Sequence, residues 1–417
     1  MRNVICLLLA VSIFLPKFAC AESKQADLDT LIAEALENNP QIQSAYNHWK
    51  AAEHKVKVVA GLPDPMASYT YFGGSIETRV GPQEHKYGLS QKIPFPGKLS
   101  LKAKAQNKRA GMLKEKYEAA KREIIKKIKF VYFDIFWVEK AIQITEEEKS
   151  ILESLEKVAQ RKYESNITPV QDVIKAQVEL SKLIEKLFVL KQNRKSLAAK
   201  MSSILNRSGD DQLRITIDIE PTKFAYDLNE LSKMARNLQQ DLLAANLEVQ
   251  RAEYEKSIAK MDYLPDFTLG FDYIEIGSGY TTASNDGDDA WMSTIKVSVP
   301  IWFDRLGAQL KEKRSTLEAT RKSYESLDNS IIYEIEDMYF KVLTYKDIIS
   351  LYETALVPQT ELAFEAARTG YETGKVDFLN WLDAERVLLQ TRLAHYKSIA
   401  DYEKSIAYLE RVVGRDL

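Results

Sequence analysis

The chain has 417 residues, 58 basic against 60 acidic, a formal net charge of -2 and 45% hydrophobic residues. That balance excludes electrostatic capture of nucleic acid, and the length suffices for two or three domains with a substantial core. Both cysteines, Cys6 and Cys20, fall within the first 21 residues, so residues 22–417 hold no disulfide framework and no thiolate metal site.

Residues 1–21 read as a secretory signal peptide: basic Arg2, an apolar run from Val4 to Leu15, and the small-residue site Ala19-Cys20-Ala21. Cys20 is also a candidate for lipidation, although Lys17 stands where lipoprotein signals carry leucine. Beyond this segment no run approaches the ~20 apolar residues of a spanning helix. A mature chain that crosses a membrane must therefore do so with strands.

The rest of the sequence says the same thing twice. "LPDP" at Leu62 is answered by "LPDF" at Leu264, and Ile93-Pro94 by Val299-Pro300. "IIKKIKFVYF" from Ile124 is answered by "IIYEIEDMYF" from Ile331, and "KYESNITPVQDVIKAQ" from Lys162 by "GYETGKVDFLNWLDAE" from Gly370. Order and spacing divide the chain into a first repeat at 22–206, a linker at 207–227 with a short β-like core, and a second repeat at 228–417.

Each repeat opens with a helical pattern, over 26–60 in the first, with a restart at Pro40. Proline ends it at Pro63. Two period-two segments follow and predict a β-hairpin at about 66–93, with its loop from Gly73-Gly74 to Gly81-Pro82. In the second repeat the hairpin falls at about 266–300. There Phe267, Leu269, Phe271 and Tyr273 share one face, and Trp291, Trp302 and Phe303 fall near strand ends. Next comes a helical pattern from 98 to 163, roughly 100 Å at 1.5 Å per residue, then a helix at 169–206. Their counterparts are 303–370 and 377–412. No globular core needs helices that long, so a coiled-coil-like assembly is the expected setting.

Four strands of about the ~9–11 residues that span a bilayer cannot close a barrel alone. Either copies of the chain share one barrel, or the strands form a soluble hairpin cap on the helices. His48, His54, His85 and His395 are scattered, without a two-His helix spacing, and there is no nucleophile elbow, phosphate loop or dinucleotide fingerprint. No enzyme and no cofactor are expected. The Glu146-Glu147-Glu148 run reads as a solvated helix face, and Phe130, Phe133 and Trp137 as packing between helices.

With the repeat, the hairpins and the long helices in view, the chain resembles the TolC-type outer membrane efflux factors over its mature length. "GYETGKVDFLNWLDAERVLLQTR" is similar to that family's repeated helix-turn-helix tip, and "GLPDP" with "IPFPGKLSL" points to the CusC/CzcC-like branch. The resemblance implies a mainly helical fold with a β-barrel: a homotrimer with twelve strands in an outer membrane barrel, set in outer membrane lipid, and an α-barrel tunnel of long helices in the periplasm of a Gram-negative-type cell. It implies a passive conduit of a tripartite efflux or type I secretion system, coupled through a periplasmic adaptor to an inner-membrane pump of RND or ABC type. Leu62, Pro63 and Asp64, with Leu264, Pro265 and Asp266, would be the helix-to-strand hinges. Asp383, Asn380, Asp172 and Lys175 match the periplasmic aperture, with Asn380 in place of the usual acidic residue. Asn166, Ile167, Thr168 and Pro169, with Gly374, Lys375, Val376, Asp377 and Phe378, match the adaptor-docking tips. A soluble periplasmic coiled-coil adaptor shares the secretion signal and the helices, and is the competing reading.

Overall fold

A computed structural model describes residues 27–207 and 219–417, apart from Tyr280, Thr281 and Ala283. The signal peptide, Cys20 and the β-like core of the linker lie outside the described residues.

In the first repeat α1 (Leu28–Asn38) and α2 (Pro40–Ala60) lead into strands β1 (Met66–Thr78) and β2 (Gly81–Ile93), then α3 (Lys98–Glu164) and α4 (Val170–Leu205). In the second, α5 (Leu228–Leu238) and α6 (Gln240–Met261) lead into β3 (Phe267–Ile276) and β4 (Ala290–Val297). A rod made of α7 (Phe303–Leu351) and α8 (Val357–Glu372) follows, then α9 (Phe378–Val413). Where a single helix at 303–370 is expected, a π-turn at Tyr352–Leu356 separates α7 from α8. Pro358 favours a break at this point, since it has no N–H to give to the helical ladder and its ring crowds the carbonyl one turn back.

The breaks that start α2 and α6 are equivalent. Asn39 leaves the helical region, and its Oδ1 accepts from the N–H of Gln41 at 2.9 Å while its Nδ2 donates to the Ile204 carbonyl at 2.8 Å. Gln239 does the same for α6, accepting from the Leu242 N–H at 2.6 Å, and neighbouring Gln240 donates to the Gly414 carbonyl at 3.0 Å. Each short helix pair is thus fastened to the C-terminus of its own repeat's last helix. Those ends close in the left-handed conformation at Asn206 and Gly414.

Two apolar clusters hold the helices. One gathers α1, α3, α4, α5, α7 and α9 around Ile128, Phe136, Met201, Leu231, Ile335 and Val413. The other lies toward the tip, around Leu152, Leu155, Ala176, Phe364, Trp381 and Leu382. Phe133 joins the first cluster and Trp137 packs against it. Between the first cluster and the sheet, α2, α3 and α6 bury alanines instead (Ala52, Ala105, Ala110, Ala244, Ala252), so this part of the wall is thin.

The sheet is antiparallel in the order β1-β2-β3-β4. Its first loop is shorter than expected. β1 runs to Thr78, the chain reverses at Arg79-Val80, and Gly73 and Gly74 lie in a register shift between Tyr71 and Ile76. Glycine there relaxes the strand without ending it. Gly81 has φ +124, and a Cβ on it would sit 1.9 Å from the Gly277 carbonyl oxygen, so the turn requires glycine.

Candidate functional site

Three places bear on function: the sheet, its junction with the helices, and the far tip. In the sheet, pairing sets Tyr69 opposite Tyr87, Tyr87 opposite Tyr273, and Tyr273 opposite Trp291. Leu89, Phe271, Leu269 and Ile295 continue the same face. The other face carries Lys86, Gly88, Ser90, Asp272, Thr294 and Lys296, with Lys86 and Asp272 paired at 3.3 Å. One face is thus aromatic and aliphatic, the other small and charged, as in a strand layer between lipid and water. Trp291, at the start of β4, and Trp302, at the N-cap of α7, are both 69% exposed. Among the described residues no helix is long and apolar enough to cross a membrane.

The two predicted hinges are placed differently. Asp266 is fastened: its Oδ1 accepts from the Phe95 N–H at 3.0 Å and from Lys98 Nζ at 2.9 Å, and its own N–H donates to Ser298 Oγ at 2.8 Å. Lys98 Nζ also donates to the Leu264 carbonyl at 3.3 Å. Leu62, Pro63 and Asp64 instead sit exposed before β1, at an edge of the sheet, where Gln91 Nε2 reaches the Pro63 carbonyl at 2.8 Å.

At the tip the two copies form closely similar turns. Asn166 (φ 57) and Gly374 (φ 75) occupy the same left-handed position, in which the N–H of Ile167 returns to the Lys162 carbonyl at 2.8 Å and that of Lys375 to the Gly370 carbonyl at 2.8 Å. Asp377 caps α9 by accepting from the Asn380 N–H at 2.8 Å. Phe378 is buried and Val376 and Thr168 half-buried, while Asn166, Ile167, Pro169, Gly374, Lys375 and Asp377 are exposed. Ile167, at 69%, is an apolar side chain held out to solvent.

The aperture residues are only partly brought together. Asp172 and Lys175 are half-buried on α4. Burial raises the Asp172 carboxyl above its usual range, Lys175 opposes that, and the Asp377 charge of the other turn adds to it. Asn380 and Asp383 stand exposed on α9, and Asp383 has no side-chain partner among the described residues.

The sequence reading misses two features near this end. Glu148 does not lie on a solvated face. Its side chain is fully buried against Glu385, with Arg392 Nη1 at 3.7 Å. Burial and then the Glu148 carboxylate push Glu385 up to about 8, and Glu148 is raised too, chiefly by burial. His395 is no surface residue either. It packs, with tilted rings, between Tyr352 of the π-turn and Tyr396, with Glu353 at 3.5 Å, and burial lowers its pKa. Pro358 inside a helical pattern is the signal that could have drawn attention to this region.

The sequence profile of the family described as outer membrane efflux protein matches residues 31–207 and 231–415, one segment for each copy of the repeat. The chain is 22% identical over 410 residues to the outer membrane protein TolC of Vibrio cholerae serotype O1, covering 93% of this chain and 90% of the relative. It is 21% identical over 429 residues to the cobalt-zinc-cadmium resistance protein CzcC of Cupriavidus metallidurans, covering 98% of each. The crystal structure of the outer membrane protein VceC from Vibrio cholerae superposes with a TM-score of 0.78 at 18% identity, over 94% of this chain and 97% of that one. At that identity the likeness is one of fold.

Proposed function

Because this chain belongs to the outer membrane efflux protein family, we propose that it is the outer membrane channel of a tripartite efflux system, a passive conduit from periplasm to exterior. The observation that carries this reading is the sheet: four strands, one face aromatic and one polar, both edges open, mounted on helical rods of up to 67 residues. In lipid an open edge leaves backbone donors and acceptors unpaired at several kcal/mol each, so the sheet must be completed by other chains. Three copies give twelve strands, within the range of closed barrels with a water-filled interior. The soluble adaptor reading leaves the two-faced sheet without a use.

In this reading the sheet lies in the outer membrane and the rods extend into the periplasm. The two turns at Asn166–Pro169 and Gly374–Phe378 receive a periplasmic adaptor, which couples the channel to an inner-membrane pump of RND or ABC type. The similarity to the cobalt-zinc-cadmium resistance protein supports metal ions as one class of cargo. Selection between cargoes belongs to the pump, since a wide aqueous tunnel offers little chemical discrimination.

Native mass spectrometry of the protein extracted in detergent from the outer membrane fraction tests the assembly: a trimer is expected, and a soluble monomer would sink the reading. The aperture is tested by single-channel conductance. Asp383→Ala is expected to raise conductance and weaken cation preference, whereas an unchanged channel would remove Asp383 from the constriction.

A further inference from the structure

At the boundary of helices and strands the chain contains one finished seam and two unfinished edges. The finished seam joins β2 to β3, and so joins the two repeats. Its ionic pin is Lys98, 6% exposed, which follows β2 and reaches Asp266, which precedes β3. The internal repeat places Asp64 where Asp266 stands and Arg305 where Lys98 stands, with Leu306 answering Leu99. These two residues lie at opposite edges of the sheet, both exposed, and neither has a side-chain partner among the described residues. Beside Arg305 is a cavity of about 640 Å³, lined also by Ile301, Trp302, Phe303 and Asp304.

We propose that a second copy of this chain fills that cavity with its Leu62–Pro65 segment, so that Arg305 pairs with the partner's Asp64 and β4 pairs antiparallel with the partner's β1. Asp64 and Arg305 carry complementary charges, and the same chain already displays the geometry once, at Lys98 and Asp266. The repeat also fixes the register. Within the chain Ile93 faces Phe267 and Gln91 faces Leu269. Carried over, Val299 faces the partner's Pro65 and Val297 the partner's Ala67. The two faces then stay matched around the ring, because Ala67 and Tyr69 share the face of Leu89 and Leu269, and Val297 shares that of Phe267. Such an interface is heterologous and must close into a ring to leave no free edge. The inference rests on the trimeric reading above and adds to it a register and an ion pair.

The test uses the full-length protein extracted in detergent. In native mass spectrometry Arg305→Asp and Asp64→Arg are each expected to cut the trimer fraction at least tenfold, and the double exchange to restore most of it. Because residues 22–417 lack cysteine, Ala67→Cys with Val297→Cys should cross-link on oxidation into dimers and trimers of chains. Ala67→Cys with Ser293→Cys, four residues out of register, should not. Trimers at wild-type yield in both single exchanges would overturn the ion pair. Cross-linking of the shifted pair in place of the matched one would overturn the register while leaving the trimer standing. A wild-type chain that is monomeric would overturn the trimeric reading and this seam together.

Discussion

The two long rods are copies of one another, yet α3 runs 67 residues without interruption while its counterpart is broken by a π-turn. The spacing of the repeat explains the difference. Ile124 to Phe133 and Ile331 to Phe340 are 207 positions apart, whereas Tyr163 and Tyr371 are 208 apart. One residue has entered the second rod between these points, and the π-turn, closed by the Val357 N–H on the Tyr352 carbonyl, is where the extra residue is absorbed. A bulge takes up the insertion locally. Helical phase is therefore the same on both sides, and Phe364 and Tyr371 still reach the tip cluster.

Deletions break this comparison with the largest effect. Removing exposed Gln143 from α3 rotates everything beyond it by about 100°, turning Leu152, Leu155 and Ala159 away from the tip cluster. At roughly 2 kcal/mol for each large apolar side chain uncovered, the outer third of the rods is expected to lose on the order of 5 kcal/mol and its protection from hydrogen exchange. Removing Thr354 together with Pro358→Ala converts the π-turn to ordinary helix in the same phase. That variant is expected to keep its protection within about 1 kcal/mol. Equal damage in both would mean that the π-turn is no absorbed insertion.

Legibility follows the same line. The repeat, the strand faces and the tip turns are visible in the sequence because they rest on periodicity and on residue types with one physical use, such as proline at Pro63 or glycine at Gly374. The π-turn changes no periodicity, and shows only as a one-residue drift in spacing and a proline, Pro358, inside a helical pattern. Glu148 is invisible for a different reason. A buried carboxyl carries the same letter as a solvated one, and only the packing of α9 against α3 reveals which it is. Gly73-Gly74 misleads in the other direction, since glycine serves a strand bulge as readily as a loop. The aperture roles of Asp172 and Asp383 rest on resemblance alone, and since Asp172 is half-buried and Asp383 exposed, conductance is what tests them.

The buried carboxyl pair sharpens the comparison, since the repeat equivalent of Glu148 falls in the π-turn, where Ala355 and Leu356 are apolar, and that of Glu385 is Gln177. Glu385 titrates near 8 folded against an ordinary value of 4.5. A group raised in this way binds more protons folded than unfolded. Stability therefore falls as pH rises from about 4.5 to about 8 and is level above. At Glu385 the Arg386 charge offsets part of this and Glu179 adds to it, while Arg392 and Glu147 play those opposing parts at Glu148. Glu385→Gln is expected to be nearly silent at pH 5 and to stabilise the tip by a few kcal/mol at pH 9, measured by hydrogen exchange of α9. The same gain at both pH values would show that the Glu385 charge is not what strains this region.

The smallest effect belongs to a residue that both copies share. Tyr163 and Tyr371 occupy the same position before the turn, yet the first is 41% exposed and the second 2%. The difference comes from their neighbours. Tyr371 packs on Trp381 and Phe378 and beneath the ammonium of Lys162, 4.1 Å from its ring, and Lys162 is itself answered by Gly370 in the other copy. Gly370 is required there, because a Cβ would stand 2.4 Å from Val376 Cγ2. The ring of Tyr371 is thus well used, but its hydroxyl is buried without a hydrogen-bond partner, and burial followed by the Asp172 charge pushes it up to about 12. An unsatisfied buried hydroxyl costs about 1–3 kcal/mol, so removing it should not weaken the fold. Tyr371→Phe is expected to be neutral or to stabilise the tip by up to ~1 kcal/mol, and Tyr163→Phe to change nothing measurable. Tyr371→Leu should cost about 2 kcal/mol through the lost aromatic and cation contacts. A loss of more than that in Tyr371→Phe would mean that the hydroxyl has a partner on a neighbouring chain, and would place the second turn, and not the first, against that chain.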